Sequence, residues 1–260
     1  MEKFREYKKT IIITSILILL PIIIGIIVIK KYYPKEAIKT ALGFSGFDIT
    51  MLLFFIIMPF SAQTFIQVIT MPATVVLSQI FGEYTPVISA PESLYEFFYS
   101  LTTACIIAPV LEEILFRGVL MKLLSPYGFL TAALVSSLGF SILHASPQGF
   151  LIILFIGFVL ALIRYISGSV FACMVFHAFS NFYSLLTLIF EEQIMIMEKE
   201  FVVFTLFSGL LFPIIFLLYK RLYPKAETYV VTAKKQGFSF GLLFCIMIFI
   251  IYSVLLSKNI

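Results

Sequence analysis

Charge is scarce in this chain. Asp, Glu, Lys and Arg make up 12% of its 260 residues against 61% hydrophobic residues, and the mean hydropathy is +1.09. So little polar surface excludes a soluble globule of this size. Cysteine is sparse too: Cys105, Cys173 and Cys245 fall in apolar runs without a C-x-x-C spacing. That excludes a disulfide framework and a thiolate metal site, and leaves three small side chains for helix packing. The sequence also lacks a low-complexity segment, a clear internal repeat, an H-E-x-x-H zinc helix and a nucleic-acid-binding motif. Tryptophan is absent, which together with abundant Ile, Phe and Lys suits an AT-rich bacterial genome. The apolar runs do not alternate as barrel strands would. In lipid the backbone polar groups must then be satisfied within helices, so the composition predicts an all-α, polytopic transmembrane bundle.

A crossing needs about 20 predominantly apolar residues. The first run is Ile11 to Ile29, too long for a signal-peptide core and without a small-residue cleavage site after it. A basic, Pro-containing connection follows through Lys30, Lys31, Lys35 and Lys39. The run from Ile49 to Phe81 contains Pro59 and Pro72 and reads as one kinked or tilted span, with a re-entrant pair as the alternative. Ser93 and Glu96 form an S-x-x-E capping box behind Pro91, so a helix should start near Ser93 and continue to about Leu124. Further spans are expected at Phe129 to Ala145, Gly149 to Ile166, Ser169 to Phe190, Val202 to Tyr219 and Phe238 to Leu256. That makes about eight spans in a single membrane domain, residues 1–260. Most of the 18 Lys and Arg residues belong to the side holding the 30–48, 122–128 and 220–237 connections, which should be cytoplasmic. The basic N-terminus, with Lys3, Arg5, Lys8 and Lys9, conflicts by falling on the other side. The overall +4 charge reflects loop cations near lipid headgroups.

Against this background a few polar groups stand out. Only two histidines occur, His144 and His177, and both lie in apolar runs. A third run carries Glu112, Glu113 and Arg117. Ionisable side chains at membrane depth usually face a bundle interior and mark functional sites. Glu113 and Arg117 are four residues apart, share a helix face and can form an internal ion pair. Glu112 is rotated about 100° from Glu113 and is less easily neutralised by Arg117. Insertion scales charge roughly 2.5–3.5 kcal/mol for an Asp, Lys or Arg at a helix centre, and packing alone gives no reason for Glu112. Pro109, lacking an N–H, should bend the helix near the acidic pair. Phe140 and His144 form a second pair at i, i+4, and His177 and Asn181 a third. Each pair shares a face, so His177 and Asn181 could present two polar groups to one point while Phe140 packs beside His144.

This ordered set, E-E-x-x-x-R, F-x-x-x-H and H-x-x-x-N on successive hydrophobic segments, resembles the CPBP family of intramembrane proteases. That family, also called the Abi or CAAX protease family, includes the type II CAAX prenyl endopeptidases. The resemblance covers residues 93–190 and implies a four-helix catalytic core there. It implies that Glu112 and His144 activate a water for attack on a peptide carbonyl, and that His177 and Asn181 stabilise the oxyanion. Glu113, Arg117 and Phe140 would support them. The chemistry is compatible: a carboxylate in an apolar cavity can be tuned toward general-base work, and two donors aimed at one oxygen are what acyl transfer needs. No Ser or Cys is patterned beside a His as a nucleophile, which makes water the simpler one.

Glu112, His144 and His177, with Asn181 as a poorer donor, could instead hold zinc. The missing H-E-x-x-H helix and the weak amide ligand favour a metal-independent glutamate mechanism with no cofactor. The expected partners are the lipid bilayer and a peptide or membrane-protein substrate, prenylated or not, and no nucleic acid. The expected location is a bacterial plasma membrane, crossed several times. Bacterial members of the family are linked to peptide maturation and bacteriocin self-immunity, so a non-catalytic scaffold or immunity factor is the alternative. A proton-relay transporter would call for inverted repeats with broken helices, and none is detected.

Overall fold

The computed structural model describes residues 18–33, 37–44, 49–82, 90–144, 146–191, 193 and 198–222. Among these there is helix and connecting chain and no strand. Residues 18–32 form α1, followed by the short α2 at Ile38–Leu42 within the basic connection. A 3-10 turn at Ile49–Met51 leads into α3, Leu52–Phe81. The rod from Leu94 to Leu124 is α4. Then come α5 at Phe129–Leu143, α6 at Phe150–Ser167, α7 at Val170–Ile189 and α8 at Glu198–Leu222. The expected spans at the start of the chain before residue 18 and at Phe238 to Leu256 lie outside the described residues.

Three of these helices, α3, α6 and α7, are long and apolar enough to cross a membrane; α5 is apolar but shorter. Burial is distributed as a lipid solvent dictates. Leu53, Ile57, Leu130, Leu134, Phe171 and Leu210 are exposed, whereas Glu113, Arg117, Ser136, Ser137 and His177 are buried. The backbone requirement is met by helices and the polar side chains gather inside.

The run from Ile49 to Phe81 is one continuous helix beyond its opening turn, with Pro59 and Pro72 inside it. It packs against α6, α7 and α8. Gly209 of α8 sits so close to the Phe65 backbone that a Cβ there would lie 3.2 Å from it. Gln63 ties α3 to α7 by donating to Ser180 O and Ser184 Oγ, both at 2.9 Å. The Pro-containing helix is thus held from three sides.

The rod α4 begins as the sequence predicts. Ser93 Oγ accepts from the Glu96 N–H at 3.2 Å. The Glu96 carboxylate accepts from the Glu92 N–H at 2.9 Å rather than from Ser93, one position off the reciprocal capping pattern. Further along, the rod is not uniformly α-helical. Two wider π segments, Thr103–Ile107 and Ile114–Leu120, flank the α-helical turn Ala108–Glu113. Proline and side-chain insertion are recognised causes of such irregularity. Pro109 lies two residues past the end of the first segment, where the widened turn relieves the clash of its ring with the preceding carbonyls.

Candidate active site

Glu112 and Glu113 sit in the α-helical turn between the two π segments, at the centre of the packing of α4 against α5 and α7. Glu113 is fully buried and Glu112 is 8% exposed. The ion pair expected from the i, i+4 spacing is present: Arg117 Nη1 donates to Glu113 Oε1 at 2.9 Å. Arg117 is itself fully buried. Its Nη2 donates to the Gly157 carbonyl of α6 at 2.9 Å, and its guanidinium lies 4.5 Å from the Phe140 ring centroid. A carboxylate, a carbonyl and an aromatic face compensate part of the burial of this cation, while Arg117 Nε and Glu113 Oε2 have no hydrogen-bond partner among the described residues.

Both histidines converge on the other glutamate. His144 caps the C-terminus of α5, and its Nε2 is 4.0 Å from Glu112 Oε2. His177, from the middle of α7, places its Nε2 3.9 Å from the same oxygen. Among the described residues Glu112 Oε2 has no hydrogen-bond partner. The far nitrogen of each ring fixes what Nε2 can do. His144 Nδ1 is 2.8 Å from the Phe140 carbonyl, to which only an N–H can bond. His177 Nδ1 is 2.9 Å from Glu113 Oε1, a carboxylate already paired with Arg117. In the neutral rings the proton is therefore on Nδ1 and both Nε2 atoms are acceptors. Acceptors around one point do not bond each other, but a water placed between them can donate to two of them.

Phe140 sits among the rings of the assembly, with its centroid 4.7 Å from that of His144 in a tilted contact and 5.4 and 5.5 Å from those of His177 and Phe116 in edge-to-face contacts. Its contact with His144 is the one its spacing predicts. Asn181 is placed differently. Its Nδ2 donates to the Ala104 carbonyl in the first π segment at 2.7 Å, so His177 and Asn181 share a face of α7 but bond separate groups on α4.

Several residues at the site escape sequence reasoning. Gly157 allows α6 to approach α5: a Cβ there would meet the Phe140 ring and the Ser137 backbone and side chain at 3.2 Å. Ser136 Oγ donates to Phe116 O at 3.1 Å and Arg164 Nε to Arg117 O at 3.3 Å. In sequence Arg164 is a charge near the end of the run from Gly149 to Ile166. Gly157→Leu should force α6 outward, lengthen the Arg117–Gly157 bond and lower stability by about 1–3 kcal/mol, the range for overpacking. Thermal unfolding in detergent checks this, and an unchanged midpoint would contradict the close packing.

Zinc is compatible with the donor types Glu112, His144 and His177. Zinc at roughly 2.0–2.2 Å from each donor in a tetrahedron holds donor pairs about 3.4 Å apart, closer than the 3.9 and 4.0 Å found. Among the described residues no set of three His, Cys, Asp or Glu side chains is arranged to hold a metal. As spaced, the three side chains stand wider apart than a bound zinc would hold them.

The chain, all-helical among its described residues, is thus a membrane protein with a buried Glu–His cluster between its helices. Residues 94–183 match a family model described as type II CAAX prenyl endopeptidase Rce1-like. Every residue of the cluster lies within that segment, and over it the chain is similar to the CAAX protease family. The match supports a protease at the level of that family. No curated protein and no solved structure gives a match to the chain.

Proposed function

We propose that this protein is a CAAX-type intramembrane endopeptidase of the glutamate kind, residing in the bacterial plasma membrane. The observation that carries the reading is the meeting of Glu112 Oε2 with the Nε2 atoms of His144 and His177 at 4.0 and 3.9 Å. Those separations are too long for direct hydrogen bonds and suit one water between the groups. With its proton on Nδ1, His144 accepts one water hydrogen at Nε2 while Glu112 accepts the other, which aims an oxygen lone pair outward.

The water oxygen attacks the carbonyl carbon of the scissile bond as Glu112 takes its proton. A tetrahedral oxyanion forms. Glu112 then returns the proton to the amide nitrogen, the C–N bond breaks, and a carboxylic acid and an amine leave. His177 serves the oxyanion as an imidazolium, since only then does Nε2 donate. Glu113, bonded to its Nδ1, is the counter-ion that makes this form tolerable at depth. The substrate is the C-terminal segment of a peptide or membrane-associated protein, with a prenyl group as its anchor in the lipid.

The test is cleavage of farnesylated and unfarnesylated fluorogenic CAAX peptides, alongside a pooled peptide library, by the purified protein in detergent. Turnover that survives a strong zinc chelator is the expected result. Chelator-sensitive turnover would reinstate zinc, and a folded protein that cleaves nothing would favour the scaffold or immunity alternative.

A further inference from the structure

We infer that Asn181 is a positioning residue, the side-chain clasp for a backbone carbonyl that Pro109 leaves without an N–H partner, and that through this clasp it fixes the turn carrying Glu112. The bond count along α4 leads to this. In the first π segment the Ala108 N–H goes back five residues to Thr103 O. The next carbonyl is that of Ala104, and the donor five residues on in the same register is residue 109. That residue is proline, which has no N–H. The α-register donor, Ala108, is already engaged with Thr103.

Ala104 O thus accepts no bond from either register, at a depth where a backbone carbonyl without a partner is costly. Asn181 Nδ2 fills the place at 2.7 Å. In the second π segment side chains also reach backbone carbonyls, Ser136 Oγ on Phe116 O, which the Met121 N–H bonds as well, and Arg164 Nε on Arg117 O. Each irregular stretch of α4 is therefore bonded by side chains of the helices around it. The clasped carbonyl lies immediately before the turn Ala108–Glu113, whose Glu112 oxygen must stay within about one water of two histidines. A slip between π and α register rotates everything downstream by part of a turn. Asn181, four residues after His177 on α7, holds that register against the same helix that supplies the histidine.

The inference rests on the proposed hydrolysis only for its effect on rate; the clasp itself is a statement about backbone bonding. The experiment is a double-mutant cycle of Asn181→Ala and Pro109→Ala, read by kcat and KM on a cleaved peptide and by hydrogen exchange of the 103–113 backbone. In the wild-type background, Asn181→Ala should raise exchange across 103–113 and lower kcat about tenfold or more at nearly constant KM, as expected when a buried acceptor loses its partner. Pro109→Ala restores an N–H at position 109. On that background, Asn181→Ala should change both exchange and kcat by less than about threefold, because the amide takes over Ala104 O.

If Asn181 instead acts only on the oxyanion, its loss lowers kcat equally in both backgrounds and leaves exchange unchanged, and the inference fails. A wild type that cleaves no peptide would sink the protease reading, while the exchange arm alone would still decide the clasp. Coupled exchange supports it, and independent exchange overturns it.

Discussion

Glu112→Gln should abolish peptide cleavage, with kcat down about a thousandfold, while the protein remains folded with an unfolding midpoint no lower than the wild type's. The drop is what loss of a general base produces. Gln keeps the size and hydrogen-bonding oxygen of the residue but cannot take the proton of the attacking water or return it to the leaving amine. Stability should not suffer because the native Glu112 oxygen has no hydrogen-bond partner among the described residues. A neutral amide removes a buried carboxylate and offers an N–H to the acceptor nitrogen of His144, which lies 4.0 Å from that oxygen. Lost turnover with retained or improved stability is the signature of a group kept for chemistry at the expense of packing. Single-turnover cleavage and thermal unfolding, run on the same preparations, check both halves. A Gln variant of full activity would remove Glu112 from the proposed mechanism.

The elements of the site were largely legible because in lipid each buried polar group must be accounted for. Glu113 and Arg117 at i, i+4 in an apolar run leave few choices but each other, and the pair forms at 2.9 Å. Glu112 had no such partner in sequence, and it is the carboxylate that meets the histidines. The start of α4 followed from Ser93 and Glu96, and of the two readings open for the Ile49 to Phe81 run, one span or a re-entrant pair, the structure forms one continuous helix through Pro59 and Pro72. What sequence could not give is the register within α4. A π segment differs from an α turn by one residue per bond, a difference that 3.6-residue periodicity does not resolve over five or seven positions. Pro109 was the available signal, and it announced a bend rather than a widened turn. The bond from Asn181 to Ala104 follows from that widening, so a reading from spacing sent His177 and Asn181 to one point when the structure gives them separate partners. Gly157 was equally hidden, since its part in the site is played by a carbonyl and by the absence of a side chain.

Removing Arg117 should be the most destabilising single change at the site, and its repair should separate folding from turnover. Arg117→Met leaves the fully buried Glu113 carboxylate without its main counter-charge and deletes the bond to Gly157 O and the contact with the Phe140 face. Breaking a buried pair from one side costs about 3–5 kcal/mol, a large part of the roughly 5–15 kcal/mol that holds a domain folded. The expected result is a sharp fall in the yield of folded protein. Adding Glu113→Gln to Arg117→Met removes the orphaned charge, and replacing a buried pair by neutral groups is often near neutral for stability, so folded yield should largely return. Activity should not. His177 would then face an amide in place of the carboxylate at 2.9 Å, its imidazolium would lose its counter-ion, and kcat should stay at least about tenfold down. Yield by size-exclusion chromatography and cleavage per folded molecule measure the two effects separately. If the double variant were as unstable as Arg117→Met alone, the instability would come from the lost Gly157 and Phe140 contacts and not from an uncompensated charge. If it folded and cleaved at the wild-type rate, Glu113 would hold no imidazolium, and the oxyanion would have to be met by other donors.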